Sequence, residues 1–165
     1  MIFGNTEGIL IISPGEIKRE NFVPPVVFTN LYISNTLVDF KEPVSPIGHH
    51  INFLDKIILR HDQSSFSLEF AALSYFDPRK NRYEYRLDNY DDDWTSPGPE
   101  HRATFTKVPP GSYTFQVKGS NWDDTWNEIP RSLSIVIRPP WWKTTVAKIL
   151  YVIILIFVFE ICIAR

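Results

Sequence analysis

Two short stretches alternate so strictly that they leave little choice of fold. In Tyr83-Glu84-Tyr85-Arg86-Leu87 the rings and the leucine fall on one face and the charges on the other. In Tyr113-Thr114-Phe115-Gln116-Val117-Lys118 the same happens again. A period of two is what a strand shows when one face is buried and the other meets water. Half-buried antiparallel strands need a second layer to cover them, and a chain rich in such strands covers them with another sheet. Pro109-Pro110-Gly111-Ser112 stands before the second stretch and reads as a tight turn, with proline fixing φ and glycine accepting positive φ. An acidic turn, Asp91-Asp92-Asp93-Trp94, follows the first stretch, and Asn121-Trp122-Asp123-Asp124-Thr125-Trp126 closes the region. Tyr83, Tyr85, Trp94, Gly111, Tyr113 and Phe115 are therefore expected to form the structural core.

Further strands are expected on either side. Val26 to Ile33 is a strong strand whose inward face the pattern leaves open. Residues 35–50, with Pro43, Pro46 and Gly48, read as loop, and residues 57–59 as a short strand. His61 to Ser64 turns into Phe66-Ser67-Leu68-Glu69-Phe70, where 66, 68 and 70 face inward. Residues 102–106 and 133–137 complete the set. About seven strands divided by turn signals predict an all-β chain, a β-sandwich of immunoglobulin or fibronectin type III kind. Before it, residues 3–12 read as a short hairpin, which is marginal by itself.

Composition narrows the function. The 165 residues are 44% hydrophobic and 22% charged, enough to fold as one ordinary domain with some chain left over. A formal net charge of −2 gives no reason to expect nucleic acid as a partner. The single cysteine, Cys162, excludes an intrachain disulfide, so packing alone must hold the sandwich. No basic segment followed by an apolar run opens the chain, so no signal peptide is read at Met1.

After Pro139-Pro140 the composition changes. Trp141-Trp142-Lys143 leads into an apolar stretch from Val146 to Ala164, broken by Lys148 and Glu160. Counted from Thr144 to Ile163, a helix here reaches about 30 Å, the thickness of a bilayer core. The expectation is a C-terminal transmembrane helix with Pro139, Pro140, Trp141, Trp142 and Lys143 as the membrane junction, the two indoles lying at headgroup level.

Residues that carry chemistry are few. Asp91, Asp92 and Asp93 lack the alternating spacing and distal glutamate of an EF-hand and read as a solvated turn. His49, His50, His61 and His101 have no metal-ligand spacing. No nucleophile signature, phosphate-cradling glycine loop or Cys-x-x-Cys pair is present. Catalytic residues, cofactors and metals are expected to be none. Trp94, Trp122 and Trp126 lie near turns. If exposed they stack on sugars, which would make a carbohydrate-binding module; if packed they cap the sandwich, and the second reading is preferred.

Several segments together resemble one family. Phe3-Gly4-Asn5-Thr6-Glu7-Gly8-Ile9 resembles the last strands of the sensor β-propeller in bacterial hybrid two-component regulators. Pro24-Pro25-Val26-Val27-Phe28-Thr29-Asn30-Leu31 resembles the start of their Y_Y_Y domain. Residues 66–73 and 81–87, then Asp92-Asp93-Trp94, Pro109-Pro110-Gly111-Ser112-Tyr113-Thr114-Phe115 and Gly119-Ser120-Asn121, resemble its body. Pro139-Pro140-Trp141-Trp142-Lys143-Thr144 resembles the junction that follows. The resemblance implies three parts: 1–21 as the remnant of a last propeller blade, 22–140 as the Y_Y_Y sandwich, and 141–165 as a truncated transmembrane helix. It implies a non-catalytic periplasmic relay that passes ligand-induced movement from a propeller to a cytoplasmic histidine kinase. It further implies a single-pass inner-membrane location, a homodimer in the full-length context, and an oligosaccharide ligand met only through propellers this chain lacks. A carbohydrate-binding sandwich and a non-functional gene fragment are the alternatives.

Overall fold

The computed structural model describes residues 2–5, 8–11, 23–43, 45–74, 78–98, 100–121 and 124–163. Its strands are β1 (Ile2–Asn5), β2 (Gly8–Ile11), β3 (Val26–Ile33), β4 (Thr36–Leu37), β5 (Lys56–Leu59), β6 (Phe66–Ala72), β7 (Tyr83–Asp88), β8 (Arg102–Phe105), β9 (Gly111–Gly119) and β10 (Arg131–Ile137). One helix, α1 (Thr145–Ile163), follows. β1 and β2 pair as an antiparallel hairpin, Ile2 opposite Ile11. The other strands form two four-stranded sheets, ordered β4-β3-β6-β8 and β5-β10-β9-β7. All their pairs are antiparallel except β10 with β5, where Ile135 faces Ile57 and Ile137 faces Leu59 in parallel register.

The strict alternation is used as the sequence implies. Along β9, residues 113, 115 and 117 are buried, and along β10, residues 133, 135 and 137. The opposite sheet sends in Phe28, Leu31, Phe66, Leu68, Phe70, Ala103 and Phe105. Phe115 sits at the centre of the layer. Its ring lies 5.9 Å from those of Phe28 and Phe105, 6.0 Å from Tyr85 and 6.2 Å from Phe70. Tilted and edge-on ring pairs at this spacing hold the two sheets in register as well as burying area.

The ambiguous face of β3 has a physical cause. Val26 and Phe28 point inward, then Leu31, so the period slips by one. Pairing with β6 shifts register between Phe28 and Asn30, the mark of a β-bulge. Beside it, the short 3₁₀ turn Ile51–Phe53 ties the sheets together: Asn52 Oδ1 accepts from the Phe28 N–H at 3.2 Å, and the Asn52 carbonyl accepts from Arg131 Nη2 at 2.9 Å. The turn chemistry at Gly111 also differs from expectation. Positive φ occurs at Lys107 and Gly98, not at Gly111. Gly111 is small for another reason: a Cβ there would lie 3.1 Å from Tyr113 Oη and 3.2 Å from its Cζ.

The C-terminal expectation is corrected. Among the described residues, no helix is long and apolar enough to cross a membrane. α1 has 19 residues, and two charged residues, Lys148 near its start and Glu160 near its end, interrupt its apolar sequence. The apolar sequence between them, residues 149–159, is eleven residues, a helical rise of about 16 Å against a bilayer core of about 30 Å. The transmembrane helix, the single membrane span as partner, and the single-pass inner-membrane location are therefore not upheld.

Candidate functional site

Two regions were singled out by sequence, the aromatic face of β7 and β9 and the junction from β10 to α1. On the first, Tyr83, Tyr113 and Phe115 are buried between the sheets and Tyr85 is half-buried. Two hydroxyls are anchored. Tyr83 Oη accepts from the Ala72 N–H at 3.0 Å, and Tyr113 Oη donates to the Pro109 carbonyl at 2.9 Å, a strand-start tyrosine bonded back to the preceding turn. Burial, then the charges of Asp91 and Glu100, push the Tyr85 phenol up from its ordinary value, so it stays neutral.

Trp94 lies elsewhere. It belongs to the outer face of the sheet, where Lys118 Nζ stands 4.5 Å from the indole centre and the Arg86 guanidinium 5.2 Å. Lys118 also lies 5.7 Å from the Trp126 ring. These cations are themselves held: Lys118 pairs with Glu84 at 2.8 Å, and Arg86 with Asp88 at 2.9 Å and Gln116 Oε1 at 3.1 Å. Cations on an indole face occupy the surface on which a sugar ring would stack. Trp94 and Trp126 are both half-buried under this ladder, and Trp122 lies outside the described residues.

The remaining polar candidates serve local structure. Asp91 Oδ2 accepts from the Leu87 N–H at 2.9 Å, and His50 Nδ1 accepts from the Asn52 N–H at 3.3 Å. Among the described residues, no group of three His, Cys, Asp or Glu side chains could hold a metal. A network that sequence reasoning missed crosses the outer face of the other sheet. Glu69 on β6 accepts from Asn30 Nδ2 at 2.7 Å on β3 and from Arg102 Nε at 3.0 Å on β8, while the Arg102 guanidinium lies 4.0 Å from the Tyr32 ring. Burial would raise the Glu69 carboxyl, but the bonds from Asn30, Arg102 and Tyr32 outweigh it and hold the group below its ordinary value.

At the junction the chain is held at several successive residues. The Arg138 N–H donates to the Leu59 carbonyl at 2.9 Å as β10 ends. Pro140 is buried, and Trp141–Lys143 form one 3₁₀ turn. The Thr144 hydroxyl donates to the Trp141 carbonyl at 2.6 Å and accepts from the Ala147 N–H at 3.4 Å, capping α1. Trp141 and Trp142 meet edge to face at 5.6 Å, and Trp142 meets His61 the same way at 5.1 Å. The Thr144 cap was legible as a hydroxyl immediately before the apolar run. His61 was not, because nothing in its neighbourhood points 81 positions ahead to Trp142.

Residues 74–138 match the family described as the Y_Y_Y domain. The extracellular domain of BT4673 from B. thetaiotaomicron has the same fold, with a TM-score of 0.66 at 29% identity over 81% of this chain and 18% of that one. A second structure of that domain, described as part of a putative hybrid two component system, gives 0.64 at 30% identity over 72% of this chain and 16% of that one. This chain carries a Y_Y_Y domain. The extracellular domain of the putative hybrid two component system BT3049, also from B. thetaiotaomicron, gives 0.60 at 25% identity over 84% of this chain and 20% of that one. A histidine kinase of Formosa agariphila is 32% identical over 149 residues, 90% of this chain and 11% of that protein. The chain thus spans between a tenth and a fifth of the length of these relatives, and what it shares with the solved ones is part of an extracellular domain.

The family match begins after β6, yet the sandwich does not. The sheet β4-β3-β6-β8 takes only β8 from the matched residues, and β5-β10-β9-β7 takes β5 from the unmatched ones. The two halves of the sequence are interleaved, so the unit that folds reaches back to β3.

Proposed function

We propose that this Y_Y_Y domain is a non-catalytic relay of a two-component sensor, which passes displacement of the sandwich to α1. One observation carries the reading: the segment between Ile137 and Thr145 is short and is bonded at Arg138, Lys143 and Thr144. β10 passes into two prolines, which fix φ, then into a single 3₁₀ turn and a capped helix. A helix so mounted follows the tilt of the sheet that holds it. Residues 1–21 are read as the end of a preceding propeller blade, and residues 22–140 as the relay. The covered state of Trp94 speaks against a sugar platform on the sandwich itself.

The test is a chimera in which residues 23–163 replace the matching segment of the F. agariphila histidine kinase. Six Gly/Ser residues are then inserted after Ile137. Stimulus-dependent phosphorylation is expected to fall to the unstimulated level while basal autophosphorylation persists. A chimera that responds equally with and without the insert would remove the relay reading.

A further inference from the structure

We infer that the Y_Y_Y domain grips the base of α1 at two points, and that the edge strand β5, through His61, is the second grip that sets the angle of the helix. This deepens the relay reading and rests on it.

The first grip is the chain itself, from β10 through Pro139 and Pro140. The second arises from the single parallel pairing in the sandwich. Because β5 runs alongside β10 in the same direction, Ile137 opposite Leu59, both strands leave the sheet at the same pole and side by side. An antiparallel neighbour would leave at the far pole. The Arg138 N–H to Leu59 carbonyl bond keeps the two exits together. β5 then runs into the 3₁₀ turn His61–Gln63, and β10 into the turn Trp141–Lys143.

The two turns meet at their rings. His61 and Trp142 are 5.1 Å apart between centres, with planes at 82°. The His61 turn is stiffened from its own side. The Arg60 N–H donates to Gln63 Oε1 at 3.0 Å, the Gln63 N–H donates back to the Arg60 carbonyl at 2.9 Å, and the Arg60 guanidinium pairs with Asp62 at 2.9 Å. On the helix side, Trp142 packs on Trp141, whose carbonyl takes the Thr144 hydroxyl that caps α1. A continuous set of contacts therefore runs from β5 to the first turn of the helix without passing through Pro139 or Pro140.

The mechanical consequence is specific. A helix held at one point follows translation of its anchor but swivels about it. A helix held at two points, on neighbouring strands, takes its direction from the line between them. When the sheet β5-β10-β9-β7 twists or tilts, α1 turns with it.

The direct test uses the 165-residue chain with Cys162→Ser and spin labels on Ser132→Cys in β10 and Leu155→Cys in α1, read by pulsed dipolar spectroscopy. A narrow distance distribution is expected for the parent. His61→Ala should at least double its width, and His61→Phe, which restores an aromatic edge, should return it to the parent width. His61 is exposed, so thermal melting of the sandwich should not move by more than a degree or two. An unchanged width for His61→Ala, or a width that Phe does not rescue, overturns the second grip. The chimera separates this from the relay reading. If the Gly/Ser insert abolishes the response while His61→Ala leaves it intact, the relay stands and the second grip falls. If the insert changes nothing, the relay falls whatever the distances show.

Discussion

Replacing Gly111 with alanine tests the packing at the start of β9. The glycine lies in the sheet opposite Ile137, without positive φ, so backbone conformation does not forbid a side chain. By itself, Gly111→Ala removes freedom from the unfolded chain and stabilises by about 0.4–1 kcal/mol. Against this stands the Tyr113 ring. The new methyl would lie 3.1 Å from Tyr113 Oη, 3.2 Å from Cζ and 3.3 Å from Cε2, so the ring must retreat by a few tenths of an ångström. It has little room. Its hydroxyl is bonded to the Pro109 carbonyl at 2.9 Å, the Tyr90 ring stands edge-on at 6.3 Å, and the side chain is 7% exposed. Overpacking of this kind costs about 1–3 kcal/mol. The net expectation is a loss of about 1–2 kcal/mol, or a melting temperature lower by roughly 3–8 °C. Urea unfolding followed by tryptophan fluorescence measures it. The control is Tyr113→Leu, in which no ring opposes the methyl. On that background Gly111→Ala should be neutral or stabilising by up to about 1 kcal/mol. If Gly111→Ala destabilises equally with and without the tyrosine ring, the steric argument is wrong.

Glu69 is held below its ordinary value of 4.5 in the fold, so its contribution is present above that value and is lost as pH falls through the folded one. Glu69→Gln should therefore cost about 2 kcal/mol at pH 7, with the gap from the parent closing as denaturation is repeated at pH 5, 4 and 3; a gap independent of pH would refute this. Asn52→Ala removes the acceptor for the Phe28 N–H at the β3 bulge and should cost about 1–2 kcal/mol by urea unfolding. It should also speed hydrogen exchange at Phe28 selectively, and uniform exchange across β3 would count against the bond.

How much the sequence disclosed varies with distance along the chain. Local period-two patterns located β6, β7 and β9 with their inward faces, because a half-buried strand writes its burial into every second residue, and β10 was located as a strand without a face. β3 was located but not oriented, since the bulge after Phe28 breaks that rule at the point where it would be read. Gly111 was recognised but assigned the wrong reason: a close approach to Tyr113 has no local signature. Trp94 was grouped with the core because tryptophans near strand ends usually cap it, whereas this one lies outside under Lys118 and Arg86. The Glu69–Arg102 network was not legible, because polar residues on an outer face carry no spacing that identifies partners 33 positions apart. The apolar tail was over-read: a span counted from Thr144 to Ile163 admits the charged residues Lys148 and Glu160.

The parallel pair of β5 and β10 also decides when the domain can finish folding. Ile57 meets Ile135 only after the 77 residues between them have been made and gathered. Until β10 arrives, β5 has no partner in its sheet and β9 lacks one of its two neighbours. Contacts this distant slow the search for the native state and leave open strand edges during synthesis, when aggregation competes with folding. The last strand is the one that seals the sandwich. Substitutions in residues 131–137 should therefore lower the yield of folded chain more than they lower the stability of chain that has already folded.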